Sequence, residues 1–446
     1  MTLRTARHRV VVAVAAAVMF TVLAACGGNA ASSSGGAGKV DGSSIVLTTI
    51  TALEPQFKKY ADAYMKAFPD RKVEVRSTTD KADEYAQQLA TARLSGELPD
   101  VFFNVDFLAD TLATDNVTLD LAPGLKDGKL HGLKEDSFLP QFLGQYRPLA
   151  KPEQITGLPV SADSVGLFYN KTLFDQLGVK EYPKADWTWD DMLRVAAEIQ
   201  TKSGGRITGI GAPLGDGTAQ IVYGPVIKAY GGSVYDPATH KSGIGQPAAQ
   251  KAWKLLLSAY GKASGPYSAT ANDPKASFGS GKVAMAIASR ATIPQTKTSL
   301  GKANWDVQVL PTIEGKSTAG GGSYGLSIAQ TSKNQDAAWA FLSWFYDTSA
   351  GMKVAQDVGG VIPPTADGID NGTWKDGTPP PANIAIFGKS ARTAVLLAQL
   401  PGSSSTTMQA ATKKATQEVL LKGRSIADAF GEAEATVNAA IEKQSK

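Results

Sequence analysis

From residue 44 onward, short apolar runs alternate with longer amphipathic stripes. Ser44-Ile45-Val46-Leu47-Thr48-Thr49 reads as a buried strand. Over 54–68 the apolar residues Phe57, Tyr60, Ala61, Tyr64, Met65 and Phe68 fall at offsets 0, 3, 4, 7, 8 and 11, one stripe of a helix. Pro69-Asp70 ends it. A short strand at 72–76 carries Val73 and Val75, and a second helix at 82–95 places Tyr85, Ala86 and Leu89 on one side. Pro99 leads into Asp100-Val101-Phe102-Phe103-Asn104-Val105, a continuous apolar run suited to a parallel core strand. This β-α-β-α-β order predicts an open parallel sheet with helices on its faces. Ligands of such sheets sit beyond the carboxyl ends of the strands, here 49–53 and 104–107.

The stretch 116–152 is less regular, and 157–171 reads as one extended strand that starts in one lobe and finishes in another. Thr188 is the expected N-cap of a helix with Asp190 and Asp191 in its first turn, where the helix dipole favours anions. Further helices are expected at 248–260 and 336–346, a strand at 281–288 and a second interlobe strand at 307–311. Ser425 caps a terminal helix carrying Ile426, Ala429, Phe430, Val437 and Ile441. No internal repeat or heptad run appears.

The length of 446 residues allows two or three domains at roughly 150 residues each. With 43% hydrophobic and 19% charged residues, the chain is able to bury a sizeable core. The N-terminus has a basic start (Arg4, Arg7, His8, Arg9), then a 16-residue run at 10–25 that is apolar except for Thr21, too short for a comfortable membrane span. This is the order of a secretory signal. Leu23-Ala24-Ala25-Cys26-Gly27 resembles the bacterial lipobox, which implies cleavage after residue 25 and lipid attachment at Cys26. Residues 26–42, rich in Gly, Ser and Ala, read as a flexible tether. Loss of Arg4, Arg7 and Arg9 leaves 42 basic against 41 acidic residues, too even a balance for a nucleic-acid footprint. One cysteine rules out disulfides within the chain and multi-cysteine zinc sites. Beyond His8, only His131 and His240 are left for histidine chemistry. Neither a metal site nor a cofactor site is expected.

Several segments together resemble the bacterial family 1 extracellular solute-binding proteins, the maltose-binding-like receptors of ABC importers. They include Ser95-Gly96-Glu97-Leu98-Pro99-Asp100-Val101, Leu158-Pro159, and Gly166-Leu167-Phe168-Tyr169-Asn170-Lys171. Trp187-Thr188-Trp189-Asp190-Asp191, Ala229-Tyr230-Gly231-Gly232, Phe278-Gly279-Ser280-Gly281-Lys282 and a glycine cluster from 320 continue the series. The resemblance implies an α/β, type II periplasmic-binding-protein-like fold: two lobes, each a mostly parallel sheet flanked by helices, with the ligand cleft between them. The expected lobes are 41–160 plus 308–360 and 161–307 plus 361–446, closing like a hinge. It also implies a monomer, lipid-anchored on the outer face of the cell membrane. Such a receptor takes a small solute, most readily a carbohydrate, and passes it to the permease subunits.

Sugars present apolar ring faces and a rim of hydroxyls, so aromatic planes, carboxylates and amides are the groups to seek. Thr49, Thr51 and Glu54 follow the first strand; Asn104 and Asp106 end the third; Asp163 lies on the first interlobe crossing, where the family places a sugar-binding acid. Tyr223 offers a stacking ring, and Gly322 and Ser323 offer close backbone N–H groups. Where the family commonly has an aromatic that stacks on sugar, this chain has Ala288-Ser289-Arg290-Ala291. An Arg290 facing the cleft suits a sugar acid or a phosphorylated polyol. Gly321-Gly322-Ser323-Tyr324-Gly325 matches the G-x-S-x-G pattern of hydrolases. However, an apparent strand follows it rather than a helix, and no histidine lies downstream of His240. No catalytic residue is therefore assigned. A secreted hydrolase remains the reading from a different class.

Overall fold

The computed structural model describes residues 43–211, 219–261, 263, 277–372, 374–375 and 378–444. The expected signal segment, Cys26 and the tether lie outside the described residues. In chain order the strands are β1 (Ser44–Thr49), β2 (Lys72–Ser77), β3 (Val101–Val105), β4 (Leu158–Pro159), β5 (Asp163–Asn170), β6 (Thr208–Gly211), β7 (Tyr235–Asp236), β8 (Lys241–Ser242), β9 (Val283–Ser289), β10 (Trp305–Gln308), β11 (Gly321–Gly322) and β12 (Tyr324–Ile328). One sheet runs β2-β1-β3-β12-β4 and a second runs β10-β5-β9-β6, with β11 added to β5.

The sheets are mixed rather than mostly parallel. In the first, β1 is parallel to β2 and β3, as the β-α-β-α-β reading requires. β12 runs antiparallel to β3 and β4, however, and β5 runs antiparallel to β9 and β10. β12 enters the first sheet straight from the other half of the molecule. With no helical crossover behind it, nothing forces the parallel direction. The expected long strand at 157–171 is divided for a related reason. β4 belongs to the first sheet, β5 to the second, and 160–162 passes between them.

Each sheet has its own core. Phe57, Tyr60, Tyr64, Tyr85 and Leu89 from the helices Glu54–Ala67 and Ala82–Ser95 pack with β1, β3, β12 and helix Gln335–Tyr346. These are the residues of the stripes read from the sequence. The second sheet is covered on both faces, and β5 shows how: Val165, Leu167 and Tyr169 enter one cluster and Phe168 enters the other, the period of two of a strand. Thr188 caps helix Trp189–Lys202, its hydroxyl accepting from Asp191 N at 3.2 Å while the Asp191 carboxylate returns to Thr188 N at 3.0 Å. Ser425 Oγ likewise accepts from Asp428 N at 3.1 Å ahead of helix Ile426–Gln444. Among the described residues no helix is long and apolar enough to cross a membrane.

The chain passes between the two sheets at 160–162, 309–323 and 360–365, and these segments run side by side. Val160 N donates to Tyr324 O at 2.8 Å and Ala162 N to Ile362 O at 2.9 Å.

Candidate functional site

The carboxyl end of β3 and the start of β5 meet across the glycine strand β11. Asp106 follows β3 directly and is 2% exposed. Its Oδ1 accepts from Phe107 N and its Oδ2 from Ser323 N, both at 2.8 Å. Burial pushes this carboxyl up to about 7, against the pull of the Ser323 and Phe107 amides. Asp163 opens β5 opposite Gly322 in the antiparallel register. Ser164 N donates to its Oδ1 at 3.0 Å, and Ser289 Oγ donates to its Oδ2. Burial raises it to about 6, opposed by Ser289 and the Arg290 charge. A Cβ on Gly322 would stand 3.1 Å from Asp106 Oδ2, so the bare glycine lets the strand lie close against that carboxylate. Ser323 donates its hydroxyl to Tyr324 O at 2.9 Å and lies between two strands, without the strand-to-helix turn of a nucleophile elbow. The structure thus brings Asp106, Asp163, Gly322 and Ser323 together.

The other sequence candidates lie elsewhere or are otherwise engaged. Thr49 ends β1 fully buried, and its hydroxyl has no hydrogen-bond partner. Thr51 is exposed in the turn that follows. Glu54 is tied to Lys58 and to Ser77 Oγ, and these bonds hold its carboxyl below the usual range. It serves the first turn of its own helix. Asn104 points into the first half. Its Nδ2 donates to Ser327 Oγ at 2.9 Å, and Ser327 passes the chain on to Thr156 O at 2.6 Å. The amide thereby joins β3 to β12 and the 146–157 loop.

Two further candidates are buried. Tyr223 is 2% exposed, with its ring 4.8 Å from that of Trp253, which stacks on Phe430 at 4.1 Å. Its helix, Gln220–Ala229, is buried on nearly every side, so an inward ring is the ordinary outcome. Arg290 is 3% exposed, donating from Nη1 to Gly360 O and from Nη2 to Trp374 O at 2.8 Å, and Trp374 offers its ring 5.8 Å away. Two carbonyls and an aromatic face offset part of the penalty for burying this cation. Gly360 has φ +64°, and a Cβ there would fall 2.0 Å from Arg290 Nη1.

Sequence reasoning missed Ser289, the hydroxyl on Asp163, although it precedes Arg290 in the segment that departs from the family pattern. It also missed the stretch after helix Ile386–Thr393, where Val395 N donates to Ala319 O at 2.8 Å beside the glycine strand. No periodicity marks that stretch.

Comparison with known proteins gives the same architecture. An ABC substrate-binding protein of Listeria monocytogenes in complex with cycloalternan superposes with a TM-score of 0.76 at 22% identity, covering 90% of this chain and 99% of that one. UgpB from Mycobacterium tuberculosis, in complex with glycerophosphocholine, superposes with a TM-score of 0.72 at 16% identity, covering 90% and 99%. At these identities the likeness shows the fold, the type II periplasmic-binding-protein kind. A putative binding protein of Brucella abortus is 27% identical over 238 residues, 52% of this chain and 56% of that relative. The match therefore spans about half the length of that relative. Residues 49–352 match the description of a bacterial extracellular solute-binding protein, and with about two thirds of its length so matched the chain belongs to that family.

Proposed function

We propose that this protein is the receptor of an ABC importer, capturing a carbohydrate between two lobes and delivering it to the permease subunits. In this reading the lobes are 41–160 plus 308–360 and 161–307 plus 361–446, each built on one sheet. The chain is a monomer moored outside the cell membrane by acyl chains at Cys26. The observation that carries it is the pair Asp106 and Asp163, one from each lobe, flanking Gly322. An ionised carboxylate only accepts hydrogen bonds, and a sugar rim supplies donors. Contacts to both lobes are what let a solute favour the shut form. The cycloalternan of the Listeria protein supports a saccharide as the solute class.

An anionic solute would need a cation in the cleft, and the Arg290 guanidinium is committed to Gly360 and Trp374. Calorimetric titration with neutral oligosaccharides, sugar acids and sugar phosphates tests the choice. A neutral sugar binds, and Asp106→Asn or Asp163→Asn weakens it by about 10- to 100-fold, the worth of one charge-assisted hydrogen bond. Binding of sugar phosphates alone, abolished by Arg290→Gln, defeats the carbohydrate reading. For the anchor, Cys26→Ser moves the protein from the membrane fraction to the soluble one.

A further inference from the structure

Gly402 lies on the turn before helix Ser404–Lys422, two residues after Leu400 of the second core. Helix Ala109–Thr114 carries Asp110 and Thr111 between Leu108 and Leu112 of the first core. These two consecutive residues grip Gly402 at both of its backbone polar groups. Gly402 N donates to Asp110 Oδ2 at 2.8 Å, and Thr111 Oγ1 donates to Gly402 O at 2.8 Å. Asp110 is fixed from its own side, because Leu149 N donates to its Oδ1 at 2.8 Å. Three residues before the glycine, Gln399 Nε2 donates to Gln145 O. The grip is separate from the crossings at 160–162, 309–323 and 360–365, and it uses none of Asp106, Asp163, Gly322 or Ser323.

We propose that Asp110 and Thr111 form a clasp on Gly402 that holds the two halves shut independently of any solute. The inference rests on the two-lobe reading above. The crossings are covalent and persist at every hinge angle. Hydrogen bonds elsewhere between the halves exist only when the halves meet. Such bonds bias the closed state whether or not a solute is present. They therefore slow entry, because a solute must wait for the clasp to open, and they prolong retention by the same factor. Asp110 and Thr111 act on the rates of entry and release as positioning residues, without touching the solute.

The test uses the full chain with no solute added. Thr111→Val removes the donor at nearly constant volume, and Thr111→Ser restores it; Asp110→Asn is an independent second variant. Hydrogen exchange reads the Gly402 amide, and small-angle X-ray scattering reads the separation of the halves. Thr111→Val is expected to speed exchange at Gly402 about five-fold, as loss of one neutral hydrogen bond implies, and to enlarge the radius of gyration. Asp110→Asn acts in the same direction, and Thr111→Ser matches the wild type. Faster exchange at Gly402 with an unchanged radius of gyration reduces the contact to a local turn and overturns the clasp. So does a Thr111→Ser chain as open as Thr111→Val. Because no sugar enters this experiment, its failure leaves the carbohydrate reading intact, and a blank sugar titration leaves the clasp intact.

Discussion

Asp106 makes the stability of this protein depend on pH in a direction opposite to that of most carboxylates. Its ordinary value of 3.8 rises to about 7 in the folded chain because the group is buried. Between those values the native state keeps a proton that the unfolded chain has released. Stability therefore falls as pH rises from about 4 to 7 and is level above. Each pH unit of displacement is worth 1.36 kcal/mol, so the full cost of ionising the buried group is about 4 kcal/mol. About 3 kcal/mol of that develops between pH 5 and pH 8. Asp106→Asn cannot ionise, and one of its two backbone hydrogen bonds is lost at a cost of about 1 kcal/mol. The variant should roughly match the wild type at pH 5 and exceed it by about 3 kcal/mol at pH 8. Urea unfolding at pH 5, 6, 7 and 8 measures the difference, with Asp163 contributing the same slope to both chains. A variant whose advantage does not grow with pH refutes the argument, because the carboxylate would then be solvated or paired in the native state.

Gly360→Ala puts a side chain at φ +64° and displaces the Arg290 guanidinium from the Gly360 carbonyl, so a loss of about 3 kcal/mol is expected in the same urea assay. Thr188→Ala removes one arm of a reciprocal cap and costs about 1 kcal/mol, whereas Thr188→Ser costs a few tenths. Tyr223→Phe should leave the affinity for any sugar found by titration within about two-fold, since the ring is buried against Trp253 and the change removes only the hydroxyl. A ten-fold loss there restores Tyr223 to the cleft.

Much of the architecture was legible because it is local. The stripe Phe57, Tyr60, Tyr64 repeats at the helical period, the cap at Thr188 lies within one turn, and the run ending at Asn104 is apolar on both faces. Each depends on neighbours a few residues away, so the order of residues suffices. The pairing of Asp106 with Ser323 spans 217 positions, and the grip on Gly402 spans more. Such contacts leave no periodic trace.

From the sequence alone come the alternation of strands and helices, the scarcity of cysteine and histidine, and the cluster of family segments that names the fold. Only the tertiary structure decided what the polar candidates do. Asn104 and Arg290 turn inward to satisfy backbone and hydroxyl partners, Tyr223 joins a core, and Asp106 and Asp163 converge on one glycine strand. The physical reason is that a buried polar group must be matched by whatever partners long-range folding brings to it, and one-dimensional spacing carries no record of those partners.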